Sequence, residues 1–310
     1  MTDSLFLDFG RSIQSHDGTW YRKIEHLGTG GNAVVFLVLA TSGDNHGSLF
    51  ALKMFRRFSI PARRERFMQE IEFLMSCNHA SITPVYDYGT FTFSGASNEV
   101  FPFMITEYLP VTLDDAIKTG SVKKIDKISY ILQILSALKY LETRSTPIVH
   151  RDIKPKNIFI NGPSCMLGDF GLIKSVGAVE DDRQLITESG EATMPFKYRT
   201  PDLIRYARGN VAEITPKSDI FQLGLIAAEL FTGRNPQNSA TSILDELQMT
   251  PLGHIPGRYG RHIKESIQMM LIDDPEERPS AAELITRWQG DFENVAENIN
   301  SLEGRVFRKS

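Results

Sequence analysis

Two short polar runs near the middle of the chain concentrate acidic, basic and amide side chains. The run from His150 to Asn157 contains Asp152 and Lys154, and Asp169 follows after a brief apolar stretch. Phosphoryl transfer needs a carboxylate that accepts a hydroxyl proton, and cations that neutralise the phosphates. Asp152 suits the first role, and Lys154 can stabilise charge on the transferring group. Asn157 and Asp169 offer oxygen ligands for Mg²⁺, so the set indicates phosphoryl transfer.

In order and spacing, these runs resemble the motifs of the eukaryotic-type (Hanks-type) serine/threonine protein kinase family, from about Trp20 to Gly290. The resemblance implies transfer of the γ-phosphate of ATP to Ser or Thr hydroxyls of proteins, the chain itself included. ATP and Mg²⁺ (or Mn²⁺) would be the cofactors. Lys154 favours serine/threonine specificity, because the family's tyrosine kinases have a different loop with arginine. The matching motifs are His150-Arg151-Asp152-Ile153-Lys154-Pro155-Lys156-Asn157 and Asp169-Phe170-Gly171.

Two features of the first third of the chain match the family's nucleotide-binding elements by resemblance. Gly28 and Gly30 belong to a glycine turn between two extended stretches, which resembles the loop that covers the phosphates of ATP. Lys53 ends a Phe-Ala-Leu-Lys run and resembles the lysine that pairs with the α- and β-phosphates. Glu70 on the following helix is the expected ion-pair partner of Lys53, with Glu72 as the alternative.

The resemblance also implies a set of residues around the adenine ring of ATP. The segment from Met104 to Pro110 resembles the hinge between the lobes, with Thr106 as a small gatekeeper. Backbone groups of Glu107 and Leu109 would pair with the adenine edge. Each apolar residue of the set could equally serve core packing, and the adenine would complete that core. These apolar residues are Leu27, Val35, Ala51 and Phe159.

The distribution of extended and helical patterns predicts an α+β protein with two lobes. The first third reads as β-strands, apart from a helical pattern at Phe67, Ile71 and Leu74. After Pro110 helical patterns prevail, interrupted by a polar loop from about Ser175 to Thr193. We expect the bilobal protein kinase fold, with a small β-rich N-lobe that has one main helix and a larger helical C-lobe. The predicted divisions are an N-terminal extension at 1–19, the N-lobe at 20–108, the C-lobe at 109–290 and a C-terminal tail at 291–310.

Three further residues are expected to support the catalytic loop without contacting the substrate. Asp219 matches the helix residue that braces this loop in the family. Asp202 stands where the family has a glutamate paired with a buried arginine, and Arg278 fits as its partner. Because aspartate is shorter than glutamate, we expect this ion pair to be looser or rearranged.

Regulation by phosphorylation is implied by Arg151, which precedes the catalytic aspartate. Kinases with this arginine are often switched by a phosphate on the activation segment, since a phosphate opposite arginine forms charge-assisted bonds that order a loop. The candidate phosphorylation sites are Thr187, Ser189 and Thr193. Thr193 is alternatively the family threonine that braces the base and the substrate.

A basic run flanks the helix that carries Glu70. It is either a solvated connector or a cradle for the activation-segment phosphate or for an acidic partner. Residues 56–60 also resemble a phosphorylation site for basophilic kinases. The run comprises Arg56, Arg57, Arg63, Arg64 and Arg66.

Composition argues against two classes of main partner, although a local basic patch remains an alternative. The formal net charge is −4, from 34 Lys+Arg and 38 Asp+Glu, which argues against nucleic acid or an anionic membrane as the main partner. The two cysteines, Cys77 and Cys165, are expected to be reduced thiols. With no signal peptide or membrane span recognised in the sequence, we expect a cytoplasmic protein. Its expected partners are protein substrates and a second copy in a transient dimer during autophosphorylation.

Two other functions compete with that of an active protein kinase. A pseudokinase that serves as a scaffold is disfavoured because Lys53, Asp152, Asn157 and Asp169 are all present. A small-molecule phosphotransferase is disfavoured by the Lys-Pro that follows the base and by the Arg-Pro-Ser segment that begins at Arg278.

Overall fold

The computed structural model describes residues 9–30, 32–56, 61–92, 99–177, 197–211, 213–240, 242 and 244–307, with side chains described up to residue 298. The chain divides into two compact units. The first extends to Pro110, except that His79–Ser81 belong with the second unit, which continues from Val111. Within the described ranges, no helix combines the length and the apolar character that crossing a membrane requires.

An antiparallel sheet of six strands makes up most of the described part of the first unit. Its strands are β1 (Ser12–Gln14), β2 (Trp20–Thr29), β3 (Ala33–Ala40), β4 (Leu49–Phe55), β5 (Val85–Thr92) and β6 (Val100–Glu107). They are hydrogen-bonded in the order β1-β2-β3-β4-β6-β5. One helix, α1 (Pro61–Met75), follows β4 in the chain. The predicted β-rich region with one main helix is confirmed.

The two faces of this sheet differ because alternate residues of a strand point to opposite sides. Phe36 of β3 lies opposite Leu52 of β4, and both are fully buried in an aromatic and aliphatic core. Val35 lies opposite Lys53 on the other face, and both are only partly buried. The register therefore separates a core face from a face that carries the predicted nucleotide-binding residues.

Residues 9–19, which the sequence analysis assigned to an N-terminal extension, contribute to this sheet. Strand β1 pairs with β2, and the side chains of Phe9 and Ile13 are buried in the same core. The backbone N–H of His16 donates to the carbonyl of Tyr88 in β5 at 2.8 Å, and the two rings stack 5.0 Å apart. Burial of these side chains stabilises the segment against the sheet.

Helix α1 packs one face against the sheet. It begins at Pro61, a residue that suits the first helical position because its missing N–H would be unsatisfied there. Phe67, Ile71 and Leu74 are buried at spacings of four and three residues, as the sequence predicted. Glu70 lies on the same face and is also buried.

The second unit is mainly helical, as predicted. Its helices are α2 (Leu113–Thr119), α3 (Lys124–Glu142), α4 (Pro201–Ala207), α5 (Lys217–Thr232), α6 (Gly260–Met270) and α7 (Ala281–Phe307). Its short strands are β7 (Val111–Thr112), β8 (Ile148–Val149), β9 (Ile158–Asn161), β10 (Ser164–Leu167) and β11 (Lys174–Ser175). They form two small antiparallel sheets, β10-β9-β7 and β11-β8.

Helix α5 is the core element of the second unit. Nearly every side chain from Ser218 to Phe231 is buried, as the apolar sequence of this helix requires. Helix α7 continues without interruption past residue 290, where the sequence analysis placed the start of a tail. Its Trp288, Asp291 and Val295 are buried, so the helix packs onto the unit beyond that boundary.

Candidate active site

Lys53 and Glu70 form an ion pair inside the first unit. Lys53 Nζ lies 2.8 Å from Glu70 Oε1, and the Glu70 side chain is almost fully buried at 2% exposure. The ammonium group also lies over the ring of Phe67, 5.9 Å from its centroid. Glu72, the alternative partner, is exposed. The structure therefore assigns the ion pair to Glu70.

The glycine turn joins β2 to β3. It is closed by a hydrogen bond from Gly30 N to Ala33 O at 2.8 Å. A Cβ added at Gly28 would meet no atom within 4 Å, and one at Gly30 would meet only the Ala33 carbonyl at 3.7 Å. Among the described residues, there is therefore free space beside both glycines. A phosphate would need this space to approach the backbone closely.

Asn32, at the tip of this turn, is held from two directions. Its backbone carbonyl accepts a hydrogen bond from Arg56 N at 2.9 Å. Its side-chain Oδ1 accepts one from Arg63 Nη1, in the first turn of α1, at 3.0 Å. The helix that carries Glu70 is therefore linked to the glycine turn as well as to Lys53.

Three of the predicted nucleotide-binding residues of the first unit, Val35, Ala51 and Lys53, share the partly buried sheet face. Gly28, Val35 and Lys53 lie side by side across three strands, and Ala51 lies in the next row beside Thr106. The Thr106 hydroxyl donates to the Ala51 carbonyl at 3.4 Å. The remaining members are Leu27, which is 39% exposed, Glu107, which ends β6 and is half-buried, and Leu109, which is buried.

In the second unit, the Asp152 carboxylate is held by its own loop. Lys154 Nζ lies 3.0 Å from Oδ1 and 2.8 Å from Oδ2 of Asp152. Asn157 Nδ2 donates to Oδ2 at 3.0 Å and to the Asp152 carbonyl at 2.9 Å. The three predicted residues therefore form one hydrogen-bonded cluster. Phe159, the second unit's predicted adenine contact, is half-buried in β9.

Burial dominates the electrostatics of Asp152. It raises the pKa of Asp152 to about 7, Lys154 opposes this shift, and the charge of Asp169 adds to it. A carboxylate with a pKa near neutrality is suited to accept a proton and release it at ordinary pH.

Asn157 and Asp169 fit a hard divalent cation. Because the Asn157 amide nitrogen donates to Asp152, the amide oxygen is the atom that can bind a metal. Asp169 is exposed and has a left-handed φ of 57°, an unusual conformation for a non-glycine residue that often marks functional sites. The charge of Asp169 raises the pKa of Asp152, so the two carboxyl groups are close enough to repel each other. Mg²⁺ or Mn²⁺, which prefers oxygen ligands, would offset this repulsion.

Helix α5 supports the loop that carries Asp152. Asp219 accepts backbone hydrogen bonds from His150 N at 2.7 Å and Arg151 N at 2.8 Å. The His150 ring lies 3.3 Å from both Asp152 N and Gly168 O, contacts that an imidazole protonated only on Nε2 satisfies together. The predicted bracing role of Asp219 agrees with this geometry, and His150 extends the brace to the residue before Asp169.

Comparison with known proteins decides the family. A family model described as "Protein kinase domain" matches residues 21–288. The chain belongs to this family. The protein kinase domain thus covers the described sheet from β2 onward and most of the second unit, up to Trp288 of α7.

Three relatives of this kinase domain come from bacteria and a plant. Serine/threonine-protein kinase PrkC of Bacillus subtilis is 30% identical over 277 residues, 85% of this chain and 39% of that protein. "Probable serine/threonine-protein kinase PknB" of Bifidobacterium longum is 30% identical over 253 residues, 77% of this chain and 35% of that protein. The Wee1-like protein kinase of Arabidopsis thaliana is 29% identical over 272 residues, 86% of this chain and 49% of that protein. The chain spans less than half the length of each of these relatives.

One residue that supports the catalytic loop of this kinase domain was not singled out from the sequence. Gln222 of α5 is 2% exposed, and its side-chain amide is hydrogen-bonded to the backbone on both sides of Asp152. The sequence signal that could have identified Gln222 is a polar amide within an apolar helical run. A buried amide normally has hydrogen-bond partners, so its presence in such a run indicates contacts with other polar groups.

Several sequence predictions lie outside the described residues. These are the phosphorylation candidates Thr187, Ser189 and Thr193, and most of the proposed basophilic site at 56–60. Gly31 of the glycine turn and Arg57 of the basic run also lie outside them.

Proposed function

We propose that this chain is a protein serine/threonine kinase that transfers the γ-phosphate of ATP to Ser or Thr hydroxyls of proteins. The observation that carries the proposal is the cluster around Asp152, in which Lys154 and Asn157 hold the carboxylate at 2.8–3.0 Å. An isolated buried carboxylate would be protonated, whereas this one has a cation and an amide that favour its charged form. Family membership and the names of the relatives support the same activity.

The proposed reaction forms one P–O bond and breaks another. The oxygen of the acceptor hydroxyl attacks the γ-phosphorus of ATP, and the bond from that phosphorus to the bridging β,γ-oxygen breaks, so that ADP leaves. Asp152 orients the hydroxyl and takes its proton. Lys154, already bonded to Asp152, stabilises negative charge on the transferring phosphoryl group. The products are a phosphoprotein and ADP.

The first unit's residues are proposed to bind the nucleotide. Lys53, oriented by Glu70, pairs with the α- and β-phosphates, and the backbone at Gly28 and Gly30 approaches the phosphates closely. Leu27, Val35 and Ala51 contact the adenine ring, together with Phe159. Glu107 and Leu109 supply backbone hydrogen bonds to the adenine edge.

Asn157 and Asp169 are proposed to hold Mg²⁺ or Mn²⁺. When bound, such a cation neutralises the phosphate charge of ATP. The role of the protein is to present one amide oxygen and one carboxylate of the right hardness, and to keep Asn157 fixed through its bond to Asp152.

We infer a cytoplasmic location and protein partners for this activity. Cys77 and Cys165 are not joined by a disulfide, and Cys165 is buried where burial raises the pKa of its thiol and keeps it unreactive. The partners are protein substrates and a second copy of the chain, encountered transiently. Autophosphorylation between residues 175 and 200 is expected, at Thr187, Ser189 or Thr193, and peptide mapping after incubation with ATP tests it.

A radiolabelled-ATP assay on a general protein substrate, with and without Mg²⁺, tests the proposed function. Asp152→Ala should lower the rate about a thousandfold, as removal of a catalytic base typically does, and Lys53→Met should be similarly impaired. Matched controls are Asp44→Ala and Lys139→Met, which change the same residue types at exposed positions and should leave the rate unchanged.

The same assay separates the competing functions. ATP binding without transfer to any acceptor would identify a pseudokinase scaffold instead. Transfer to sugars or amines but not to protein would identify a small-molecule phosphotransferase.

A further inference from the structure

Gln222 occupies a position from which one side chain reaches three backbone groups. Its Oε1 accepts a hydrogen bond from Ile153 N at 2.9 Å. Its Nε2 donates to Arg151 O at 3.1 Å and to Tyr198 O at 2.9 Å. Ile153 N can only donate, and this fixes which end of the amide is the oxygen.

Two of these bonds fix the peptide groups on either side of the catalytic base. Arg151 O and Ile153 N flank Asp152, so Gln222 restrains the backbone immediately before and after that residue. Asp219 lies one helical turn earlier on α5 and holds the N–H groups of His150 and Arg151. Together these two side chains attach the loop to a buried, rigid helix.

The restraint acts on a backbone that would not hold its conformation unaided. Arg151 has a left-handed φ of 68°, which is strained for a residue with a side chain. Such conformations persist only where the surroundings fix them. The bonds from Asp219 and Gln222 on either side of the Arg151 peptide supply that fixation.

The third bond connects the loop to another part of the unit. Tyr198 lies three residues before Pro201, the start of α4, and its carbonyl accepts from the same Nε2 atom that bonds to Arg151 O. The two hydrogens of the amide group are thus directed to two different segments. Of the side chains of this length, only glutamine offers one acceptor and two donors on a single terminal group.

We propose that Gln222 is a positioning residue that fixes the Asp152 carboxylate relative to the segment before α4, and thereby the rate of phosphoryl transfer. The inference rests on the proposed kinase function and goes beyond the bracing role of Asp219. Because the three hydrogen bonds of Gln222 go to the backbone around Asp152 and to Tyr198, we expect it to act on the transfer step and not on nucleotide affinity. A misplacement of about 1 Å at a reacting group can lower a rate about a hundredfold.

The first test is the variant Gln222→Met, which keeps the length of the side chain and removes all three hydrogen bonds. We expect kcat to fall about tenfold to a hundredfold, with the KM for ATP changed less than about twofold. The matched control is Thr232→Val at the far end of the same helix, about 15 Å away. It removes a hydrogen bond from Thr232 Oγ1 to Ala228 O and should leave kcat unchanged at a temperature where both variants are folded.

The second test keeps the acceptor and removes the donors. In Gln222→Glu an ionised carboxylate would face two carbonyl oxygens, whereas its protonated form can donate to one of them. The ratio of the kcat of Gln222→Glu to that of the parent should therefore rise as the pH falls. Burial raises the pKa of Asp152 and of Asp219 to about 7 in the parent, and both groups are retained in the variant, so their contributions largely cancel in this ratio.

The outcomes separate the inference from the proposed function. The positioning role is supported if the parent is active and the kcat of Gln222→Glu recovers toward that of the parent at low pH. If Gln222→Met folds, its kcat should also be lower than that of the parent. The positioning role is overturned if the parent is active, the Gln222 variants have the same kcat as Thr232→Val, and the ratio of the kcat of Gln222→Glu to that of the parent does not depend on pH. This result would leave the proposed kinase function intact. A parent that transfers no phosphate to protein overturns the kinase function, and this role with it.

Discussion

Arg278 Nη1 donates a hydrogen bond to Asp202 Oδ2 at 3.0 Å inside the second unit. Both side chains are buried, with the residues 1% and 5% exposed. The pair forms although aspartate is shorter than the family's glutamate, but it uses Oδ2 alone, and Oδ1 of Asp202 is buried without a hydrogen-bond partner among the described residues. This one-oxygen contact does not contradict the expectation of a looser or rearranged pair. The guanidinium is held in place by the carbonyls of Ile272 at 2.9 Å and Asp273 at 3.1 Å, so the shorter carboxylate still reaches it.

Removing this carboxylate should strongly destabilise the second unit. Asp202→Ala leaves the Arg278 cation buried without its counter-charge, and breaking a buried ion pair in this way costs about 3–5 kcal/mol. Asp273→Ala is the matched control, because the pair of Asp273 with Arg205 is much more exposed and should contribute less than about 1 kcal/mol. Urea denaturation of the two variants measures the difference, and equal losses would contradict the proposed importance of the buried pair.

The sequence predicted those parts of the site that depend on a fixed order of motifs. Lys53 and Glu70 were paired from their positions on a strand and the following helix, and the distance of 2.8 Å confirms the pair. The strand Leu49–Phe55 and the buried face of α1 were likewise predicted, because alternation and helical spacing follow directly from which side chains are buried.

Other contacts could not be predicted because they join residues that no local pattern relates. The bonds from Gln222 span 69 and 71 positions of the sequence to Ile153 and Arg151, and they depend on how α5 packs under the loop. Phe9 and Ile13 lie in a short segment without a clear strand pattern, and only the assembled sheet reveals that they complete its core. In both cases long-range packing determines which residues are in contact, and local sequence propensity carries no information about such packing.

Glu70 and Glu72 allow the ion pair with Lys53 to be tested on neighbouring residues. Glu70→Gln removes the charge that orients the lysine ammonium and should lower kcat/KM for ATP about tenfold to a hundredfold. Glu72→Gln makes the same chemical change at an exposed position of the same helix and should have little effect. Steady-state kinetics at varied ATP concentration distinguishes them, and an equal effect of both changes would contradict the assignment.

The contact between Arg63 and Asn32 predicts a separate effect on nucleotide affinity. Arg63 lies in the first turn of α1, where a positive charge interacts unfavourably with the helix dipole. Any favourable contribution of Arg63 must therefore come from another interaction, and its hydrogen bond to Asn32 is one. Loss of its hydrogen bond in Arg63→Ala should loosen the tip of the glycine turn and weaken ATP binding about threefold to tenfold.

Calorimetry with ATP and with adenosine checks this prediction. Adenosine lacks phosphates, so its affinity should not change in Arg63→Ala. Arg64→Ala, at an exposed position one residue later, is the control. If adenosine binding weakens as much as ATP binding, the effect is not on the phosphate-binding turn.

Asp17 and Asp87 of the first unit lie close enough for each to shift the pKa of the other. Asp17 Oδ1 accepts hydrogen bonds from Ser15 Oγ and Thr19 N, each at 2.8 Å. Asp87 Oδ1 accepts one from Tyr88 N at 2.7 Å, whereas Oδ2 is buried without a partner among the described contacts. Burial, reinforced by Asp17, raises the pKa of Asp87, and Asp87 together with the N–H of Thr19 holds the pKa of Asp17 well below its usual range. We therefore predict that Asp87 carries a proton on Oδ2 that it donates to the ionised Asp17.

This arrangement predicts a stability that depends on pH. Because the folded pKa of Asp87 exceeds its unfolded value of 3.8, its contribution is fully present below that value and is lost as the pH rises through the folded pKa. Asp87→Asn keeps a donor toward Asp17 and cannot ionise, so its stability relative to the parent should increase as the pH rises from about 4 to about 8. Asp17 is ionised over this range in both proteins, so its contribution to the pH dependence cancels.

Urea denaturation at the two pH values measures the difference, with exposed Asp44→Asn as the control. A difference between Asp87→Asn and the parent that stays constant over this range would mean that Asp87 does not carry the shared proton.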